Sequence, residues 1–539
     1  MDCSATRIPY SKTGYFSNLV NDYLNDHPSL REFYAYRPDV EGLRQSITDR
    51  AKLPVNRKAL TDALKAQYAG VPQTTATEKN IEALASPQTF TITTAHQPNL
   101  FTGPLYFLYK ILHVIRLADS CKTLFPDHDF VPVYYMGSED ADLDELGYFV
   151  VKGTRHTWQT KQTGAVGRMK VDDELLRLID ELRGEISVLP YGEEVLALLQ
   201  AAYTKDRSIQ DATFELVNAL FGVYGLVVLI PDNPLLKKEG IPIFRRELEQ
   251  QTAVQLVEKT AQAIEKAGYK VQAHAREINL FYLEEQSRQR IEYADGVYRV
   301  HGTDRRFSKE EIEKELEQHP ERFSPNVILR GVFQETILPN IAFVGGGGEL
   351  AYWLQLRKVF EDHQTHYPIL VLRNSFLIID QAWQEKAAQL GIDPPALFAP
   401  EEQLLNSLVR DNSAHALHLG AEREALNRLY DEMEAKSVAI DATLKGHVEA
   451  LRTRALYRVD ELEKKMLRAE KRKFTDHRRQ LHALKAALFP GGNLQERVEN
   501  FSSFYALYGK EFLQELHKES PALDQEFVIV KVEGVRWKA

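Results

Sequence analysis

The hydrophobic pattern changes period several times along the chain, and each change marks an element. Phe90 to Ala95 is a short run of apolar and β-branched residues, read as a buried strand. The polar break His96-Gln97-Pro98-Asn99 follows it. Thr102-Gly103-Pro104 then opens a helix, with Thr102 as N-cap and Pro tolerated in the first turn. Leu105, Leu108, Ile111, Leu112, Ile115 and Leu117 recur close to helical spacing. Phe130 to Met136 is a second strand that runs directly into Ser138-Glu139-Asp140. Strand, helix, strand makes a βαβ unit with parallel strands and a right-handed crossover. Both strands therefore end on the sheet edge where open α/β folds bind ligands.

The pattern predicts three further strands of the same kind. Gly225 to Ile230 is continuously apolar, as expected of a strand buried on both faces, and ends in Pro231-Asp232-Asn233. Ile341 to Val344 leads into Gly345-Gly346-Gly347-Gly348-Glu349 and then a helix, while Ile369 to Leu372 ends at Arg373-Asn374-Ser375. Five strands ending in polar or glycine loops point to one shared cleft. Between them lie helical stretches over 172–222 and short β runs from Val271 to Val300, with Asp295-Gly296 as a hairpin turn.

The expected organisation has residues 1–145 as a helical region and the first half of an α/β core, and 146–222 as a first insertion. Residues 223–243 supply a core strand, 244–335 a second insertion, and 336–400 the second half of the core. Over 401–490 a long helical arm is expected, because Val448, Leu451, Ala455, Val459, Leu462, Met466 and Ala469 alternate in threes and fours. Leu481, Leu484 and Leu488 resume that seam, and an antiparallel helix pair fits it best. The segment 491–539 then docks back on the core through Phe501, Phe504, Tyr505 and Tyr508.

Composition narrows the function classes. A chain of 539 residues exceeds one ordinary core. Its formal net charge of −10 argues against a general nucleic-acid binder. Between Leu451 and Gln480 there is a local basic excess, eleven Lys/Arg against five Asp/Glu, which reads first as a solvated helix face. The start of the chain lacks an apolar signal core, and the longest near-apolar run, Leu220 to Ile230, is too short to span a bilayer. Two cysteines, Cys3 and Cys121, fit a reducing compartment, and a cytoplasmic protein without a structural metal is expected.

No GxSxG, HExxH, P-loop or kinase signature occurs, and His363 and His366 lack acidic partners at a ligand spacing. The chemistry therefore falls to the strand ends. His96, Gln97 and the carboxylates Glu139, Asp140, Asp142 and Asp144 are suited to orient an amine, hold Mg²⁺ or act as base. The amides of Gly345 to Gly348 and the guanidinium of Arg373 suit a phosphate or carboxylate. His96 at the head of a helix also resembles the HxGH-type motif of class I aminoacyl-tRNA synthetases and nucleotidylyltransferases. Here Asn99 replaces the second His, and Phe307-Ser308-Lys309 is misplaced for a KMSKS partner. A nucleotidylyltransferase and a non-catalytic coiled-coil interaction protein both stay open on the residues alone.

IPYSKTGYFS, HQPNLFTGPLYFLYK, SEDADLDEL, VGGGGELAYWLQL, LRNS, RAEKRK and FPGGNLQERVENF together resemble the bacillithiol biosynthesis cysteine-adding family, BshC, nearly end to end. The resemblance implies a Rossmann-like core carrying two connective-peptide insertions, and a coiled-coil arm that makes a homodimer. It implies addition of cysteine to glucosaminyl-malate, with ATP as co-substrate and Mg²⁺ as the expected activators of the carboxylate. His96, Glu139 and Asp140 are the expected catalytic residues. Gln97, Asn99, Thr102, Gly103, Ser138, Asp142, Tyr352, Gln355, Arg373 and Ser375 are expected to bind substrate, and Gly345, Gly346, Gly347, Gly348 and Glu349 phosphate or carboxylate. Asp140 and Asp142 are the candidates for Mg²⁺. Ala141 stands where many members have His, and Gly347 where Pro is frequent.

Overall fold

The computed structural model describes residues 1–534. The described residues fall into two compact units, one made of residues 1–11, 15–378 and 493–533, the other of 12–14, 379–492 and 534. Both expected insertions lie within the first unit. The core half expected over 336–400 is shorter than that, because the first unit stops at Ile378.

The first unit is built on a parallel sheet. Its strands are β1 (Thr89–His96), β2 (Asp129–Met136), β3 (Val227–Leu229), β4 (Asn340–Gly345) and β5 (Ile369–Leu372), in the order β5-β4-β1-β2-β3. Each neighbouring pair is parallel, and His96 stands opposite Met136. These are the five strands read from the sequence, each within two residues at either end. The architecture is Rossmann-like. The threonines of β1 fit a fully buried strand because they bond across to β4: Thr91 and Thr93 donate to Asn340 Oδ1 at 3.2 and 2.8 Å, and Thr94 donates to the Val344 carbonyl at 2.8 Å. From β1 the chain steps outward through β2 to β3, then returns to the other side of β1 for β4 and β5. The strand order thus reverses between β1 and β4, which opens a crevice at their carboxyl ends.

Helix α1 (Tyr106–Leu124) joins β1 to β2. It starts three residues later than the sequence reading placed it, with Leu105 and not Thr102 at the N-cap position. Phe101, Thr102 and Gly103 all have positive φ, at 48°, 70° and 64°, so the chain turns there instead of entering a helix. A Cβ on Gly103 would lie 2.8 Å from the Cβ of Asn99, which requires glycine. The turn is held from the C-terminal segment: Asn500 Nδ2 donates to the carbonyls of Phe101 and Gly103 at 2.8 and 2.6 Å.

Two smaller parts flank the sheet. The stretch after β2 holds a hairpin, Tyr148–Val151 with Thr154–Thr157, and three helices between Asp173 and Phe221. The stretch after β3 starts with the short helix α2 (Pro234–Glu239) and contains a five-stranded sheet. Asp295 and Gly296, both at positive φ, turn its hairpin as predicted. Helix α3 (Val327–Ile337) leads into β4, and α4 (Gly347–Asp362) leads out of it. In the C-terminal segment, helix Phe501–Tyr508 is buried along its whole length, and Glu526–Val532 pairs antiparallel with Cys3–Pro9. Residues 535–539 of that expected segment lie outside the described ones.

The second unit contains α5 (Gly420–Ile440), α6 (Lys445–Lys471) and α7 (Thr475–Leu488). Arg452 reaches Asp431 at 2.6 Å and Glu434 at 3.2 Å, and Arg423 pairs with Asp460, so α5 and α6 run antiparallel. The seam read from Val448 to Leu488 is not one helix. Between Ala469 and Leu481 the only apolar residue is Phe474, and the helix breaks at 472–474.

Candidate active site

The residues that follow all five parallel strands line one cavity of about 590 Å³. β1 contributes Ala95, His96 and Gln97; β2 contributes Gly137 to Asp140; β3 contributes Pro231. The loop after β4 contributes Gly346 to Glu349, and β5 contributes Arg373. Register explains the convergence. Because His96 and Met136 are level, the imidazole and the Ser138-Glu139-Asp140 turn leave adjacent strands side by side.

His96 sits against the rings of Tyr106 and Phe107, with centroids 5.4 and 5.3 Å away. Burial, then the cations of Lys110, Arg373 and Arg330, hold its pKa well below the usual imidazole range. The ring is therefore neutral at physiological pH. Its Nε2 is buried without a protein partner, as is the hydroxyl of Ser138. A base with so low a pKa removes protons poorly at neutral pH. The geometry fits His96 better as a hydrogen-bonding group for a ligand.

The two carboxylates of the motif have different surroundings. Glu139 is 8% exposed, forms an ion pair with the fully buried Lys237 of α2, and accepts from Ser324 Oγ at 3.1 Å. Asp140 is more open; its Oδ2 accepts from Gln97 Nε2 at 3.1 Å. Glu145 also lines the cavity, and burial together with Asp140 and Asp142 raises its pKa. Asp142 does not line the cavity; its carboxylate caps the short helix Leu143–Leu146 by accepting from the Glu145 amide at 3.1 Å. Among the described residues no group of three or more His, Cys, Asp and Glu side chains is placed to hold a metal ion.

The glycine loop makes the first turn of α4. Glu349 accepts from the Gly346 amide at 2.8 Å and pairs with the buried ammonium of Lys110. This corrects its expected role: Glu349 is itself an anion seated at the helix start, and it repels a phosphate there. The Gly347 and Gly348 amides, by their position in the first turn, have no acceptor within the helix. Both glycines line the cavity, and a Cβ on Gly348 would meet open space.

Several expected binding residues lie elsewhere. Asn99, Thr102 and Gly103 form the turn before α1, and Gly345 is the last residue of β4; none lines the cavity. Gln355 is fully buried, and its amide is spent on backbone: Oε1 accepts from Gln272 and Ala273, and Nε2 donates to the Ala273 carbonyl, each at 2.9 Å. Ser375 donates to Glu496 Oε1 at 3.1 Å. Arg373 does reach the cavity wall, but its guanidinium is paired with the buried Glu496 at 2.7 Å, so its charge is already balanced. Tyr352 lines the cavity and takes a hydrogen bond from Arg330 at 2.6 Å.

Sequence reasoning missed the residues that other segments bring in. Lys110 comes from the second turn of α1, Arg288 from the hairpin strand Ser287–Ala294, Arg330 from α3, and Arg497 from the C-terminal segment. Lys110 and Arg497 fall inside the quoted stretches HQPNLFTGPLYFLYK and FPGGNLQERVENF and Arg288 and Arg330 in none, so no local signal marks all four as sharing one cavity.

Comparison with known proteins matches this architecture. The N-terminal Rossmann-like domain of the bacillithiol biosynthesis BshC family matches residues 1–374, and the C-terminal coiled-coil domain of that family matches residues 376–532. A relative from Flavobacterium johnsoniae is 38% identical over 97% of this chain and 99% of its own length. One from Christiangramia forsetii is 38% identical over 97% and 98%, and one from Salinibacter ruber 31% over 95% and 96%. Each of these three carries the name "Putative cysteine ligase BshC". With both family domains matched in order and such relatives aligned almost end to end, the chain belongs to the BshC family of bacillithiol biosynthesis.

Proposed function

We propose that the protein is a cysteine ligase that joins the carboxyl group of cysteine to the amine of glucosaminyl-malate, forming the amide of bacillithiol. The observation that carries this reading is the near full-length relationship to proteins named as cysteine ligases. The site supports it. A cavity of about 590 Å³ at the switch point of a parallel sheet has room for a small acid beside a sugar conjugate. Its wall carries both carboxylates, such as Asp140 and Glu145, and cations, such as Arg288 and Arg330, which suits an ammonium and a carboxylate.

Amide formation from a carboxylate and an ammonium is uphill in water, so the carboxyl must be activated. ATP with Mg²⁺ would supply a phosphoryl or adenylyl leaving group. Of the residues present, the Gly347 and Gly348 amides line the cavity and would take the phosphates, beside a Glu349 whose charge Lys110 already balances. Mg²⁺ would arrive with the phosphates, because no ready-made ligand cluster exists among the described residues, and Asp140 is the carboxylate placed to meet it. His96 and Ser138, both with unpartnered polar atoms, would orient the reacting groups.

The reading includes a homodimer through the arm. Leu429, Met433 and Val438 on α5, and Tyr457 and Leu462 on α6, are exposed apolar residues that a partner would cover.

Purified protein given cysteine, glucosaminyl-malate, ATP and Mg²⁺ should form bacillithiol, detected by mass as the free thiol. Omitting the nucleotide should abolish it. Equal product without nucleotide would overturn the ATP requirement, and no product under any nucleotide would overturn the ligase reading.

A further inference from the structure

Among the described residues, four guanidinium groups of the cavity wall, Arg276, Arg288, Arg330 and Arg497, have no carboxylate within ion-pair distance, and two of them, Arg288 and Arg330, are tied to one short stretch of chain. Arg288 donates to Ser324 Oγ at 3.1 Å and weakly to the Pro325 carbonyl at 3.4 Å, and its guanidinium lies over the Phe281 ring at 3.8 Å. Arg330 donates to the Tyr352 hydroxyl at 2.6 Å and lies 6.0 Å from the centre of the Tyr135 ring. Both are partly buried and line the cavity. Among the described residues neither has an acidic oxygen within ion-pair distance, whereas Lys110, Lys237 and Arg373 each do. A partly buried cation without a counter-ion is costly, and a bound anion removes that cost.

The two arginines are brought together by one short stretch. Arg288 grips its start at Ser324 and Pro325, and Arg330 stands in the first turn of α3, which Asn326 caps. Asn326 and Val327 line the cavity between them. Two separate planar forks suit two separate carboxylates, each bound bidentately.

We infer that Arg288 and Arg330 form a dicarboxylate subsite that takes the two carboxylates of the malyl group. Its assignment to that substrate rests on the ligase reading. The subsite places the malyl end beside α3, so the sugar amine extends toward His96, Ser138 and Asp140. Arg373 is not part of it, because Glu496 already balances its charge.

The test uses malate alone as probe, so it does not depend on ligation. Calorimetric titration of the full-length protein with malate should show binding that weakens as salt is raised. Arg288→Met and Arg330→Met should each weaken it at least about tenfold, the loss of one charge-assisted contact. ATP affinity should stay within about twofold in both. Arg288→Lys and Arg330→Lys keep the charge and guard against misfolding; they should bind malate with intermediate affinity. Unchanged malate affinity in both Met variants would overturn the subsite. So would an equal loss of ATP affinity, which would assign these arginines to phosphate. A wild-type protein that binds inorganic phosphate more tightly than malate through the same two residues would also overturn it. If malate binding behaves as expected while the product assay fails, the subsite stands and the ligase reading falls.

Discussion

Glu139 and Asp140 are neighbours in sequence, yet the structure gives them separate duties. Glu139 neutralises Lys237, a lysine with no exposed side-chain surface. Glu139→Gln therefore leaves a buried ammonium unpaired and should cost about 3–5 kcal/mol of stability, read as a lower midpoint in denaturant. Lys237→Met in the same chain should restore most of it, and a double variant no more stable than Glu139→Gln alone would refute the pairing argument. Asp140→Asn should leave the midpoint nearly unchanged and lower turnover about 100-fold or more if the carboxylate meets metal or ammonium. Another buried acid sits at the opposite end of the sheet. Burial raises Glu335 from 4.5 to about 7, although Gln334 and Asn340 each donate to it, at 2.8 and 2.9 Å. A carboxyl with a raised folded pKa binds its proton more tightly when folded. Its contribution is full below about pH 4.5 and is lost as pH rises to about 7. Glu335→Gln should flatten the stability profile across that window, with a difference of at most about 3 kcal/mol. A difference curve flat in pH would refute the assignment.

Among the elements, the turn before α1 carries the residues of a helix start without being one. Thr and Pro near an apolar run ordinarily mark a helix N-terminus. Here the asparagine of a distant segment, Asn500, holds the carbonyls of Phe101 and Gly103, and three successive residues turn through positive φ. Thr102→Val keeps the shape of this buried side chain and should not destabilise the fold, since the hydroxyl it removes has no partner and caps nothing. Gly103→Ala should cost roughly 1–3 kcal/mol, because φ is +64° and the added Cβ meets Asn99. A cap role for Thr102 would instead show as a loss of about 1 kcal/mol in Thr102→Val. The glycine loop after β4 was legible as a strand-to-helix turn. That Glu349 already occupies the Gly346 amide was not, because the Lys110 that pairs with it lies 239 residues earlier in the chain.

For the whole molecule, the arm sets the expectation for assembly. The α5–α6 pair buries no residue of α5, and of α6 only Val448 and Glu470. Leu462 is 51% exposed. Two helices that bury so little apolar surface between them gain little from pairing alone. In the proposed dimer a second copy would cover the exposed apolar positions of this face. The wild type should sediment as a dimer at micromolar concentration, and Leu462→Lys with Met466→Lys should shift it to monomer. A monomeric wild type would refute the dimer. A double variant that stays dimeric would place the interface elsewhere.

Periodicity and punctuation along the chain determined the five parallel strands, the antiparallel arm and the polar strand ends that line the cavity. These are local consequences of burial: a strand buried on both faces must be continuously apolar or internally bonded, and its end must carry the polar break. The tertiary structure alone decided which charges are spent and which are free. Lys237 reaches Glu139 across 98 residues, and Glu496 reaches Arg373 across 123, so two motif residues that looked available are already neutralised. Arg288 and Arg330 stand in no motif, yet they face the cavity without a carboxylate partner. Charge balance depends on distance in space, and a pattern read along the chain carries distance in sequence only.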